Sequence, residues 1–178
     1  MANEHIGELK RWVSELARVS GEGEFVRLNR AVELIAKNFR VRPDEVAILG
    51  FTPDERALCF LAPDNLRKMR NIPLNSLESL AARTVRERKP EAINHFAVVP
   101  HMSGFERVPV AEERRAEPIQ KIMSAPIKLG SRVVGVLQVS RKGNEMADAG
   151  PDFTEAQLRE LSVVCEALAP CVIMCRES

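Results

Sequence analysis

The chain has 178 residues, with 26 Lys and Arg set against 25 Asp and Glu for a formal net charge of +1. That balance argues against a nucleic-acid partner, and no segment reaches the ~20 consecutive apolar residues of a membrane-spanning helix. A chain of this length buries roughly 70% of its unfolded surface, enough for one domain with flanking helices and no covalent staples.

In chain order, the opening MANEHIGELKRW carries charges where a secretory signal needs an apolar core. Ile6, Leu9, Val13 and Leu16 then form a narrow stripe on a helix, of the kind that seams against a partner helix. Gly21 and Gly23 end that helix. A second begins near Glu24 and directs Phe25, Leu28, Val32, Ile35 and Phe39 at a core. DEVAILGFT and ERALCFLAP, parted by Pro53-Asp54, read as a hairpin. A helical turn is predicted over 64–69 and a brief strand at IPL, 72–74. Asn75 with Glu78 fits a capping box and predicts a helix from about Ser76 to Arg88, stopped before Pro90. EAINHF, 91–96, reads as a strand, and 97–117 as a long loop of the sort that carries function.

Residues 122–143, IMSAPIKLGSRVVGVLQVSRKG, form two apolar ladders around a Gly130-Ser131 turn. With Leu129 opposite Arg132, one face holds Ile127 with Val134, Ala125 with Val136 and Met123 with Gln138. The other holds Pro126 with Gly135, Ser124 with Leu137 and Ile122 with Val139. Both faces are largely apolar, so both must be covered. Pro126 lacks an N–H and is expected to interrupt the ladder. Thr154 and Gln157 make a second capping box, opening a helix with Leu158, Leu161, Cys165, Leu168, Val172 and Cys175 at seam spacing. Pro170 is expected to kink or break that helix.

The four cysteines, 59, 165, 171 and 175, are not spread as a disulfide framework is, which points to a reducing, cytoplasmic location. Packing is the expected role of the three on the last helix. His95 and His101 flank the long loop without the spacing of a metal site, so no metal is assigned. Arg114 and Arg115 could grip an anion from a lid, although a solvated loop is the simpler reading. No Ser-His-Asp set, phosphate-binding glycine loop or paired carboxylates can be defended, and no catalytic residue is assigned.

The order of elements, with Ser124-Ala125-Pro126-Ile127, Gly135-Val136-Leu137, and the DFTEAQLRELSVVCEALAP helix, resembles a GAF domain over about 24–173. The resemblance implies an α+β fold: a central antiparallel sheet of five to six strands, helices on one face and a loop-covered pocket on the other. It divides the chain into an N-terminal helix, 1–22, and a GAF-like domain, 23–178. It also implies a pocket bounded by Ile72, Leu74, Leu80, Ile93, His95, Met123, Ala125, Val136 and Gln138 beneath the 97–117 loop, with Gly135 admitting a helix on the opposite face. Paired terminal helices would give a homodimer through Ile6, Leu9, Val13, Leu16, Leu161, Cys165, Leu168 and Val172.

The expected function is a non-catalytic sensory module that binds an unknown small molecule and signals to an effector protein. Against the cyclic-nucleotide signature of the family, Arg141-Lys142, Phe153 and Gln157-Leu158 agree only at Lys142 and Phe153, which argues against that ligand. Covalent bilin attachment in the 97–117 loop is excluded, because the loop holds no cysteine. The alternatives are a small thiol-dependent enzyme of the free methionine sulfoxide reductase type and a purely structural dimerisation module.

Overall fold

The computed structural model describes residues 2–18, 23–98 and 117–177. Helices α1 (Ala2–Arg18) and α2 (Glu24–Phe39) precede a hairpin of β1 (Val46–Phe51) and β2 (Ala57–Ala62). Then come β3 (Ile72–Pro73), α3 (Leu80–Glu87) and β4 (Glu91–Ile93). A long hairpin of β5 (Ile119–Leu129) and β6 (Arg132–Lys142) leads into α4 (Glu155–Glu177). The strands form one antiparallel sheet in the order β3-β2-β1-β6-β5-β4. This is the α+β architecture expected from the sequence.

The apolar stripe of α2 buries Leu28, Val32, Ile35 and Phe39 against the sheet, alongside Val46, Ile48, Leu137 and Val139. The helix stops at Arg40, which turns left-handed with φ 55°, and Arg141 of β6 donates to the carbonyls of Phe39 and Arg40 at 3.3 and 3.4 Å. α4 opens at the expected box: Gln157 N donates to Thr154 Oγ1 at 3.2 Å, and Thr154 N to Gln157 Oε1 at 3.0 Å. α4 runs unbroken through Pro170, so of the expected kink or break the break does not occur. Pro170 and Glu166, one turn earlier, are both exposed, so the carbonyl that loses its partner lies on the hydrated side of the helix.

Three further expectations need correction. α3 begins at Leu80, not Ser76, because Ser79 is its N-cap: its Oγ accepts from Ala82 N at 3.3 Å. Asn75 caps nothing among the described residues. β4 stops at Ile93, and Phe96 belongs to a short 3-10 turn.

The third correction concerns the β5–β6 register. The turn pairs Leu129 with Arg132 as expected, but the ladder shifts between Ile127 and Lys128. Lys128 faces Val133 while Ile127 faces Gly135, so Val134 is an extra residue on β6. Beyond it every predicted pair is off by one: Pro126 faces Val136, Ala125 faces Leu137, Ser124 faces Gln138, Met123 faces Val139 and Ile122 faces Ser140. The ladder continues through Pro126, which is tolerated because β4 reaches only as far as Ser124 along the other edge of β5.

That shift fixes what each face touches. Met123, Ala125, Ile127, Leu137 and Val139 pack with α1, α2 and α4 in the main core. Gly135 lies beneath α4, where a Cβ would stand 3.2 Å from Val172 Cγ1 and 2.3 Å from the Leu49 carbonyl oxygen. The opposite face carries Leu49, Leu58, Phe60, Ile72 and Val136 against Ala81 and Ala82 of α3. The helices thus sit on both faces, with three on one side and the short α3 sharing the other.

Candidate functional site

The α3 side of the sheet holds a cleft with about 450 Å³ of space, its open mouth included. The apolar walls are Val46 and Ala47 of β1, Phe60 of β2, Ile72 of β3, Ile119 and Ile122 of β5, and Leu66 from a 3-10 turn after β2. Gln138, Ser140 and Lys142 project from alternate positions of β6, as the two-residue period of a strand requires. Asp44 and Glu45 come from a 3-10 turn ahead of β1.

The charged groups of this cleft are engaged with one another and with backbone. Glu45 is buried, and its carboxylate accepts from the backbone N–H groups of Arg42 and Lys142, both at 2.7 Å. Lys142 Nζ donates to the Asp44 carbonyl at 2.8 Å and lies 3.5 Å from its carboxylate. Arg42 pairs with Asp44 at 3.2 Å and Glu117 at 2.8 Å; burial lowers its pKa, but these carboxylates outweigh that and hold it above the usual guanidinium value. Among the described residues the one cation lining the cleft, Lys142, is thus already paired with Asp44.

The polar groups of the floor form a directed chain. Thr84 of α3 donates its hydroxyl proton to the Leu80 carbonyl at 2.9 Å. Across the 2.7 Å contact with Ser124 Oγ, Ser124 must therefore be the donor. With its one proton so committed, Ser124 can only accept from Gln138, whose Nε2 lies 3.3 Å away. The hydroxyls thereby fix which end of the Gln138 amide points at Ser124. Among the described residues, nothing donates to Gln138 Oε1.

Of the residues expected to bound a pocket, Ile72 and Gln138 line the cleft. Leu74 and Val136 pack in the apolar cluster beside it, and Leu80 and Ile93 in a smaller one with Phe96 and Ile122. His95 is exposed in the turn after β4. Met123 and Ala125 do not face the cleft; the slipped register turns them into the helix-side core. His101, Arg114, Arg115 and most of the expected 97–117 lid lie outside the described residues. Sequence reasoning missed Glu45, Phe60, Ile122, Ser124, Ser140 and Thr84. Gln138 and Ser140, polar at i and i+2 of an apolar strand, were a legible sign of that face.

All four cysteines lie away from the cleft. Cys59 is half-buried and packs against the helix-side core. Cys165 Sγ reaches the Ala125 carbonyl at 3.8 Å, and burial pushes its thiol far up. Cys171 and Cys175 lie one turn apart on α4, in contact: Cys171 is held below the usual thiol value by Cys175, and Cys175 is raised. Among the described residues no group of three or more His, Cys, Asp or Glu side chains is placed to hold a metal ion.

The family model for the GAF domain matches residues 27–172. The chain belongs to the GAF domain family. Its fold is similar to that of the GAF domain from an Acinetobacter phosphoenolpyruvate-protein phosphotransferase, at 18% identity and TM-score 0.71, covering 97% of this chain and 95% of that one. A putative GAF sensor protein from Burkholderia vietnamiensis is similar at 11% identity and TM-score 0.67, over 100% and 99% of the two chains. Free methionine-R-sulfoxide reductase from Neisseria meningitidis, solved with its substrate, is similar at 11% identity and TM-score 0.65, over 99% and 90%. At these identities the likeness is one of fold. No curated protein matches the sequence significantly. As a GAF domain the chain is of the sensory and regulatory kind, and none of its described helices is long and apolar enough to cross a membrane.

Proposed function

We propose that this GAF domain is a non-catalytic sensor that binds a small molecule in the cleft between β1, β5, β6 and the 3-10 turns beside them, and signals to a partner protein. The observation that carries the reading is Gln138, a buried amide set among apolar walls with its carbonyl oxygen unused by any described residue. That oxygen opens onto the cleft, so an occupant that displaces its water must offer a donor in return. Signalling requires that the occupant prefer one arrangement of the helices. The chain from Gln138 through Ser124 to Thr84 offers such a link, because it ties the cleft to α3. Native mass spectrometry of freshly purified protein tests the reading. A retained small mass that is lost in Gln138→Leu supports it; a bare chain from every preparation, with no binding from a metabolite panel, rejects it.

The fold likeness to free methionine-R-sulfoxide reductases raises a thiol-dependent reductase as the competing reading. Such chemistry needs a thiolate beside the bound sulfoxide. Here the cysteines lie against the helix-side core or on α4, and none lines the cleft. Turnover of free methionine-R-sulfoxide with a thiol reductant is expected to be no faster than in a variant lacking all four cysteines.

A further inference from the structure

We infer that the cleft selects an uncharged molecule with an apolar body and an amide edge, that is, an N–H donor beside a carbonyl. This rests on the sensor reading and names the chemistry of its ligand. Hydroxyl protons can run in only one direction from Ser124 to Thr84 to the Leu80 carbonyl, so Gln138 must present Nε2 to Ser124. One of its N–H groups is thereby used. What remains to the cleft is the carbonyl oxygen, which needs a donor, and the second N–H, which needs an acceptor. A primary or secondary amide supplies both.

Charge selects in the same direction. Among the described residues the one cation lining the cleft, Lys142, is held by Asp44, so a carboxylate or phosphate would have to compete with Asp44 for it. An ammonium would have to compete for the two carboxylates that line the cleft: Glu45 already accepts two backbone N–H groups, and Asp44 is shared by Lys142 and Arg42. The remaining wall, with Phe60, Leu66, Ile72 and Ile122, is apolar and suits a hydrocarbon body.

The test is an NMR titration of the isotope-labelled full chain with four probes of matched chain length: hexanamide, methyl pentyl ketone, hexanoate and hexylammonium. Hexanamide is expected to shift the backbone signals of Ala47, Phe60 and Gln138, while the two ions leave them in place. The ketone is more apolar than the amide, so the quantity read is the ratio of amide to ketone affinity. In Gln138→Leu this ratio is expected to fall about tenfold. In Thr84→Val, Ser124 loses the acceptor for its proton, the Gln138 amide is free to turn round, and the ratio falls while the protein stays folded. Tighter binding of hexanoate or hexylammonium, or an unchanged ratio in both variants, would overturn the inferred ligand class and leave the sensor reading in place. Failure of all four probes to shift the cleft signals would count against both.

Discussion

At the scale of single residues, two paired glycines show how unequal close contacts can be. Gly50 of β1 faces Gly135 of β6 in the ladder, and both lack room for a methyl group. At Gly135 the obstacle is the Leu49 carbonyl oxygen, 2.3 Å from a built Cβ, with α4 closing over it. At Gly50 it is the tip of the Leu61 side chain at 2.7 Å, which can rotate away. Gly135→Ala is therefore expected to cost about 3 kcal/mol in urea unfolding and Gly50→Ala about 1 kcal/mol. Arg141 is a second such point. Its guanidinium, its pKa lowered by burial, lies 4.7 Å from the Phe153 ring centroid and binds the last carbonyls of α2. Arg141→Met keeps the packing but orphans those oxygens, and the same measurement should show a loss of about 2 kcal/mol.

At the scale of elements, the boundary of α3 separates a sequence pattern from a hydrogen bond. Asn75 and Glu78 have the spacing of a capping box, but Ser79 is buried and supplies the oxygen that Ala82 needs. Ser79→Ala should cost about 1 kcal/mol, whereas Asn75→Ala should stay within about 0.5 kcal/mol of wild type. The same contrast explains what could be read in advance. α2, the β1–β2 hairpin and the Thr154 cap were legible because each is specified by residues close in sequence. The Gly130-Ser131 turn was legible for the same reason, and so was the alternation on β6 that puts Val136 and Gln138 together. The bulge at Val134 was not, because a strand with Val at 133, 134 and 136 is apolar enough to pair in either register. That single extra residue moved Met123 and Ala125 away from the cleft and brought Ser124 and Ile122 into it. Thr84 was beyond reach, since no local pattern tells which strand a short helix will cover.

For the whole molecule, the apolar seams of α1 and α4 determine how the terminal helices are used. The sequence suggested a seam between two copies. Within one chain Leu9 and Val13 are buried against the same core as Leu161, Cys165, Leu168 and Val172, and Lys10 reaches Glu166 at 3.3 Å. The side chains of Ile6 and Leu16 lie outside the described ones. The seam residues that are described are engaged within one chain, so a second copy could reach them only if α1 were displaced. Val13→Asp discriminates between the two uses of the seam. A carboxylate forced into this core lacks any partner, and a loss of about 3 kcal/mol or more is expected. Because the packing is within one chain, the drop in thermal midpoint should be the same at every protein concentration. A drop that shrinks as the protein is diluted would mean that the helices seam between copies instead, since stability drawn from association follows mass action. A concentration-independent loss would place α1 in the sensor's own core, where any motion of α4 must also move α1.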